Sequence, residues 1–188
     1  MEDDASRTAI TSIPHLMLGG EALPAQLADQ ILTETASARL VNVYGPTETT
    51  VWSTRKIIER GVKFAGSIGK PIANTRIYIL DDFLQPLPDG VAGNLWIGGD
   101  GVALGYLRQD ELTADRFRPD PFSSAGGGRM YNTGDLARWN ADGEIEFLGR
   151  SDFQLKIRGH RIELGEIETA IDSNPAVRQC VVVADPSA

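Results

Sequence analysis

The chain of 188 residues is 41% apolar and 23% charged, which allows a domain of ordinary size with a buried core and argues against disorder. A net charge of −8 disfavours nucleic acid and anionic membrane surfaces as partners. Cys180 is the only cysteine, so no intrachain disulfide can form, and because neither a signal peptide nor a membrane span is recognised, a cytoplasmic protein is expected.

The first part of the chain has the pattern of a β-α-β unit. The apolar run Ile13–Leu18 is predicted as a buried strand, and Pro24 opens an amphipathic helix that reaches to about Ser37. Leu40–Val43 is predicted as the next strand, and if the two strands are parallel the loops that follow them share one edge of a sheet. Val51–Ile58 is predicted as a further strand.

From about Gly66 the pattern changes to short strands separated by tight turns, which is typical of a small antiparallel barrel or a distorted sheet. One helix, from Asp110 to Phe117, is predicted within this part. The predicted strands are Arg76–Leu80, Asn94–Ile97, Asp135–Trp139 and Glu144–Leu148.

A third pattern follows Gly149. A hairpin is predicted for Phe153–Ile157 and His160–Ile162, a helix for Gly165–Ser173 and a strand for Val177–Ala184. Because a strand needs partners, we expect the chain to be part of a larger unit.

The stretch NVYGPTETT at residues 42–50 is a candidate ligand loop, since it follows a strand and breaks at a Gly-Pro pair. Tyr44 offers an aromatic face, Thr47 a hydroxyl and Glu48 a carboxylate. Together these groups suit a base, a phosphate oxygen and a hard cation, as in a magnesium nucleotide. Taken alone, the stretch also fits a structural alternative, a turn with a solvated Thr-Glu pair that caps a helix.

Five motifs, in this order along the chain, resemble the adenylate-forming enzymes, and most closely the amino-acid-activating adenylation domains of nonribosomal peptide synthetases. They are GGE at 19–21, NVYGPTETT at 42–50, GNLWIGGDGVALGYL at 93–107, YNTGDL at 131–136 and GRSDFQLKIRGHRIELGEIE at 149–168. The resemblance implies a partial adenylate-forming fold of class α/β plus β. Residues 1–65 would end an α/β core subdomain, residues 66–149 would form a small distorted β-barrel, and residues 150–188 would form the hinge and the beginning of an α+β lid subdomain.

The resemblance also implies an activity. Such domains join the carboxylate of an amino acid to the α-phosphate of ATP with Mg²⁺, release pyrophosphate, and pass the aminoacyl group to the phosphopantetheine thiol of a peptidyl carrier domain. The implied partners are the amino acid, the carrier domain, the remainder of the adenylation domain and a small MbtH-like helper protein.

The ligand loop matches the adenosine and metal side of the family's site. Asn42 matches a contact to the adenine edge, and Tyr44 matches the aromatic residue that stacks on adenine. Thr47 matches a phosphate contact, and Glu48 matches the Mg²⁺ ligand.

Three later residues match the ribose contacts and the hinge. Asp135 matches the carboxylate that accepts both ribose hydroxyls, Arg150 a second ribose contact, and Asp152 the hinge about which the lid subdomain rotates. Outside the motifs, each has a structural alternative: Asp135 could close a turn, Arg150 could form a surface ion pair and Asp152 could cap the following strand.

The resemblance also implies that the side chain of the amino-acid substrate lies against five residues, all apolar here, which would suit a small or apolar substrate side chain. These residues are Leu16, Leu18, Val43, Val51 and Trp52.

Three parts of the family pattern are not found in this sequence. They are the Ser/Thr/Gly-rich loop ending in a lysine that grips the pyrophosphate, the acidic residue that holds the amino group of the substrate, and the lysine near the end of the lid subdomain. The sequence therefore predicts part of an adenylation site, inactive as an isolated fragment. Two alternatives stay open: a non-catalytic remnant that binds a nucleotide or a protein, and a segment of an acyl-CoA synthetase-like ligase. The run Arg158 to Glu168 favours the peptide-synthetase branch.

Overall fold

The computed structural model describes residues 9–35, 37–123, 126–152, 154–157 and 160–183. It divides into two compact units, Met1–Ser151 and Asp152–Ala188. No helix among the described residues has both the length and the apolar character needed to cross a membrane.

The first unit is built on one sheet of nine described strands. They are β1 (His15–Leu18), β2 (Arg39–Tyr44), β3 (Thr54–Ile58), β4 (Ser67–Pro71), β5 (Thr75–Leu80), β6 (Gly93–Gly99), β7 (Phe117–Pro119), β8 (Arg129–Trp139) and β9 (Ile145–Arg150). The order across the sheet is β1-β2-β3-β4-β9-β8-β6-β5, and β7 pairs with β8. β1 and β2 are parallel, whereas the other pairs are antiparallel.

Helix α1 (Ala25–Glu34) connects the parallel pair and buries one face against the sheet. Its buried residues Ala28, Ile31 and Leu32 recur at helical spacing. They form an apolar cluster with Leu40 on β2, Ile58 on β3 and Phe64 in the loop between β3 and β4. The helix ends earlier than Ser37, the predicted end, because Thr35 is already extended.

The antiparallel strands carry a second apolar cluster, formed by alternating residues of β5 and β6 together with single residues of β4, β8 and β9. This cluster consists of Ile68, Ile77, Ile79, Leu95, Ile97, Ala137 and Ile145. A short helix, α2 (Asp110–Arg116), precedes β7. The four strands predicted from Arg76 to Leu148 are confirmed, but β8 begins at Arg129, well before the predicted start at Asp135.

β4 joins the two parts of the sheet, since it pairs with β3 on one side and with β9 on the other. A register shift between Ser67 and Gly69 bends this strand. Gly69 has φ +79° and lies so close to β3 that a Cβ atom would be 1.9 Å from the carbonyl oxygen of Arg55. β4 was not predicted because its sequence, SIGKP, contains glycine and proline.

Two strand predictions near the candidate loop need correction. Ile13–Leu18 was predicted as buried, but β1 begins at His15, lies at the edge of the sheet, and alternates between exposed and half-buried residues. β3 begins at Thr54 instead of Val51, because Thr50 and Val51 have φ +62° and +69°, which an extended strand excludes.

The second unit begins with a hairpin, β10 (Leu155–Ile157) and β11 (His160–Ile162), as predicted, while Phe153 lies outside the described residues. Helix α3 (Leu164–Asp172) follows. The strand predicted for Val177–Ala184 is wrong over residues 177–183, which pair with no described strand, and the rest lies outside the described residues. Val181 and Val183 are exposed.

Candidate functional site

The carboxylate of Asp135 is the centre of a buried polar cluster. Arg150 lies directly opposite it across the β8–β9 pair, and its Nη1 atom donates to Asp135 Oδ1 at 2.7 Å. The hydroxyl of Tyr44, at the end of β2, donates to Asp135 Oδ2. Tyr44, the predicted adenine-stacking residue, and Arg150, a predicted ribose contact, therefore both bond to the carboxylate of the other predicted ribose contact, Asp135.

The backbone of the Thr133-Gly134-Asp135 segment fixes the direction of that carboxylate. The hydroxyl of Thr133 accepts the Asp135 amide at 3.0 Å and donates to the carbonyl oxygen of Leu95 at 2.8 Å. Gly134 has φ +72°, and its carbonyl oxygen accepts both the amide and the hydroxyl of Ser151 at 2.9 Å. With these bonds made, the side chain projects from a rigid turn inside a strand.

Burial, more than the neighbouring charges, keeps the proton on the Tyr44 hydroxyl. Burial, and then the neighbouring negative charge of Asp135, raise the pKa of the Tyr44 hydroxyl well above its ordinary value. Tyr44 therefore remains a hydrogen-bond donor at physiological pH. Each oxygen of a carboxylate carries two lone pairs, so a carboxylate can accept several hydrogen bonds at once, as Asp135 does from Tyr44 and Arg150.

Tyr44 and Asn42 both lie on β2, but their side chains are used differently. The ring of Tyr44 is half-buried, with its centroid 6.3 Å from that of Phe147 at an angle of 43°. Asn42 is buried, and its Nδ2 atom donates to the carbonyl oxygen of Ser67 at 3.1 Å, which ties β2 to β4. Their roles at the adenine ring stay predictions.

Glu48 lies on a 3₁₀ turn, Thr47–Thr49, that follows the Gly-Pro break. Its side chain is buried, and Oε1 accepts the hydroxyl of Tyr106 at 2.6 Å. Its carbonyl oxygen accepts the amide of Ala103 at 2.8 Å, so backbone and side chain are both held by the segment that precedes α2. Thr47 is exposed and can reach a ligand from solvent.

The comparisons with known proteins agree with this architecture. A family model described as AMP-binding enzyme matches residues 2–107, which is more than half of the chain. The chain belongs to this family. A dimodular nonribosomal peptide synthase of Bacillus subtilis (strain 168) is 49% identical over 168 residues, which cover 89% of this chain and 7% of that protein.

Two solved structures extend the match to the fold. The structure of holo-PA1221, an NRPS protein containing adenylation and PCP domains, matches with a TM-score of 0.86 at 30% identity, over 96% of this chain and 32% of that one. The Vibrio cholerae adenylation domain AlmE, in complex with glycyl-adenosine-5'-phosphate, matches with a TM-score of 0.82 at 28% identity, over 94% and 33% of the two chains. They confirm the predicted fold class, a partial adenylate-forming fold.

The five residues predicted to line the substrate side chain differ in exposure. Leu16 and Leu18 are half-buried against the apolar cluster of α1. Val43 is buried and lies against Gly19. A Cβ atom added to Gly19 would be 2.4 Å from the Val43 carbonyl oxygen. Val51 and Trp52 are 62% and 44% exposed, so of the five they are the pair open to a ligand.

The donor set around Glu48 fits Mg²⁺ bound through a nucleotide. No group of three or more metal-binding side chains occurs among the described residues, so a cage made of protein atoms alone is not found there. Mg²⁺ commonly takes one or two carboxylates and completes its shell with water and phosphate oxygens. A single buried carboxylate beside a candidate phosphate contact is consistent with that mode.

Sequence reasoning missed the residues that support the carboxylates. Tyr106 and Thr133 lie inside motifs that were recognised, yet no role was assigned to them. A buried carboxylate needs donors, so the tyrosine and threonine hydroxyls of the same motifs were the available signal. Asp152 lies in the second unit, where its Oδ1 atom accepts the amide of Gln154 at 3.2 Å, and its hinge role stays a prediction.

Proposed function

We propose that this chain is the part of an amino-acid-activating adenylation domain that holds the adenosine and the metal ion during nonribosomal peptide synthesis. The observation that carries the proposal is the Asp135 carboxylate, fixed on a rigid turn between the Tyr44 hydroxyl and the Arg150 guanidinium. The chain spans 7% of the Bacillus relative and about a third of the two solved structures, 32% and 33%, so the complete site includes further residues.

In this proposal the two oxygens of Asp135 accept the two ribose hydroxyls. Arg150, whose Nη1 atom lies 2.7 Å from Asp135 Oδ1, pairs with the carboxylate and serves as a second ribose contact. Tyr44 presents its ring to adenine, while its hydroxyl keeps the acceptor in place. Asn42 contacts the adenine edge from the same strand.

Glu48 would hold Mg²⁺ together with phosphate oxygens, and Thr47 would contact a phosphate. When bound, the metal ion supplies positive charge that offsets the charge of the phosphates. The contribution of this chain is a carboxylate whose backbone and side chain are both fixed, by Ala103 and Tyr106. A fixed ligand lowers the entropy lost when the nucleotide is bound.

The proposed reaction has two steps. A carboxylate oxygen of the amino acid bonds to the α-phosphorus of ATP as the bond to pyrophosphate breaks, and the phosphopantetheine thiolate of a peptidyl carrier domain then displaces AMP. The adenylation and PCP domains named for the PA1221 structure support the carrier domain as a partner. An MbtH-like helper is a further proposed partner, and residues 1–65, 66–149 and 150–188 are the proposed subdomains, with Asp152 as the hinge.

The glycyl adenylate named for the AlmE structure supports an amino acid as the substrate class. Val51 and Trp52 would form the accessible part of an apolar wall, to which Leu16, Leu18 and Val43 contribute from behind. This wall favours a small or apolar side chain in the substrate.

The proposal is tested by calorimetric titration of the chain with AMP, using two matched substitutions. Asp120 is a second buried aspartate held by an arginine and a tyrosine, Arg76 at 3.2 Å and Tyr78 at 3.0 Å. Its side chain is 0% exposed, whereas that of Asp135 is 7% exposed. Asp120→Asn therefore controls for the loss of a buried charge.

We expect Asp135→Asn to weaken AMP binding by at least about tenfold, because one ribose acceptor becomes a donor, and Asp120→Asn to leave the affinity unchanged. Equal losses in the two variants would show that Asp135 acts only through folding. A folded wild-type chain that does not bind AMP would favour the alternative of a protein-interaction remnant.

A further inference from the structure

Tyr106 connects the candidate metal ligand to a part of the molecule that the motif assignments leave without a function. Its hydroxyl donates to Glu48 Oε1 at 2.6 Å and lies 3.3 Å from the hydroxyl of Tyr131. Tyr106 and Glu48 are far apart in sequence, so only the fold brings them together. Both ends of this contact lie in recognised motifs, at 42–50 and 93–107.

The main chain around Tyr106 is fastened at several points. Its amide donates to the hydroxyl of Thr113 on α2 at 2.9 Å. The guanidinium of Arg129 on β8 donates to the carbonyl oxygens of Ala103 at 2.9 Å and Leu104 at 2.5 Å. The Tyr106 hydroxyl is therefore presented by a segment tied to a helix and to the central sheet.

The ring of Tyr106 packs against other aromatic rings. It meets the ring of Phe117 edge-on with centroids 5.4 Å apart, and Phe117 lies 5.0 Å from Tyr131. Tyr131 is fully buried on β8, the strand that also carries Asp135. One strand thus supports both predicted ligand carboxylates, Asp135 directly and Glu48 through two tyrosines.

We propose that Tyr106 is a positioning residue, whose hydroxyl holds the Glu48 carboxylate in the orientation that receives a magnesium nucleotide. This inference rests on the proposed function, because it assumes that Glu48 is the metal ligand. A glutamate side chain has three rotatable bonds, and a hydrogen bond to its terminal oxygen removes much of that freedom before the metal arrives. The donor is neutral, so this bond does not cancel the negative charge that attracts the cation.

The test measures ATP affinity by calorimetry twice for each variant, with excess Mg²⁺ and with EDTA. The ratio of the two dissociation constants reports the metal contact, while the EDTA value reports the adenosine contacts of the same preparation. We call the dissociation constant with EDTA divided by that with Mg²⁺ the Mg²⁺ enhancement. Tyr106→Phe keeps the ring against Phe117. We expect its Mg²⁺ enhancement to be about five- to tenfold smaller than that of the wild-type chain, and its dissociation constant with EDTA to be unchanged.

Two further variants separate positioning from folding. Tyr78→Phe removes a tyrosine hydroxyl from a different buried carboxylate, Asp120, and should leave the Mg²⁺ enhancement unchanged. Glu48→Gln should remove the enhancement, and adding Tyr106→Phe to it should change nothing more, since the two residues act through one contact.

Three other outcomes would overturn the inference, and each has a different cause. An equal loss with Mg²⁺ and EDTA in Tyr106→Phe would assign Tyr106 a structural role. An unchanged enhancement in Tyr106→Phe, with normal wild-type binding, would remove the inference and leave the proposed function intact. A wild-type chain that binds neither AMP nor ATP would refute the proposed function and this inference with it.

Discussion

Asp135 and Arg150 are direct cross-strand partners on β8 and β9, and Asp135 Oδ1 lies 2.7 Å from Arg150 Nη1. The two side chains are only 7% and 14% exposed. A second pair on the same two strands, Arg138 and Glu146, has the same 2.7 Å separation but side-chain exposures of 45% and 25%. The two pairs share their cross-strand pairing and their separation, and they differ in burial.

This difference predicts unequal losses of stability. Removing one member of a buried pair leaves a charge without compensation, whereas exposed pairs contribute little. We expect Arg150→Met to lower the free energy of unfolding by about 2–3 kcal/mol and Arg138→Met by less than about 1 kcal/mol. Urea denaturation of the two variants measures both values, and equal losses would show that burial does not set the strength of the Asp135 pair.

A pH dependence follows from Tyr44. Burial and the neighbouring Asp135 raise the pKa of its hydroxyl above the ordinary value of 10.0, so the folded chain keeps a proton that the unfolded chain releases. This contribution to stability is fully present below about pH 10 and is lost as the pH rises further, by at most about 1.4 kcal/mol per pH unit.

The measurement is urea denaturation from about pH 8 to about pH 11, with Tyr44→Phe as the comparison. The variant should be less stable than wild type at neutral pH, since it lacks the bond to Asp135, and the gap between them should narrow above about pH 10. A gap that stays constant across the range would mean that Tyr44 titrates alike in the folded and unfolded chains.

The sequence predicted which residues belong to the candidate site better than it predicted how they are held. Tyr44, Asp135 and Arg150 could be named because they stand in motifs with a fixed order. Their convergence on one carboxylate depends on the pairing of β8 with β9 and on a register shift next to Leu136, which no local pattern encodes. The contact between Tyr106 and Glu48 was missed for the same reason.

The errors in secondary structure also have local causes. The apolar sequence of β1 predicts a buried strand, yet its position at the edge of the sheet leaves Met17 exposed. β4 reads as a loop because Gly69 and Pro71 disfavour strands, although Gly69 is what lets β3 and β4 approach closely. In both cases tertiary placement outweighs local propensity.

Gly66 and Gly69 allow a separate test of that close approach. Both have left-handed φ angles, +78° and +79°, but a Cβ atom on Gly66 would have no atom within 4 Å, whereas one on Gly69 would be 1.9 Å from Arg55 O. Gly66→Ala should therefore cost only the backbone strain, about 1 kcal/mol, and Gly69→Ala at least about 3 kcal/mol, because β3 and β4 must separate. Thermal and urea denaturation measure both, and similar costs would show that the strands can move apart freely.

The last prediction concerns the strained turn that presents Val51. A β-branched residue at φ +69° is unfavourable by about 1–2 kcal/mol, and glycine relieves this at a cost of about 0.5–1 kcal/mol in the entropy of the unfolded chain. Val51 is 62% exposed, so little apolar burial is lost on its removal. Val51→Gly should leave the free energy of unfolding unchanged or raise it by up to about 1 kcal/mol.

The matched control is Val91→Gly, since Val91 is also exposed but does not have a left-handed φ angle. This substitution should lower the free energy of unfolding by at least about 0.5–1 kcal/mol, because the unfolded chain gains entropy and no backbone strain is relieved. Urea denaturation of the two variants gives the difference directly. If Val51→Gly proves as destabilising as Val91→Gly, the turn at Thr50 and Val51 stores no strain, and its left-handed conformation is maintained without cost by the bond from the Thr50 hydroxyl to the Gly101 carbonyl oxygen at 2.7 Å.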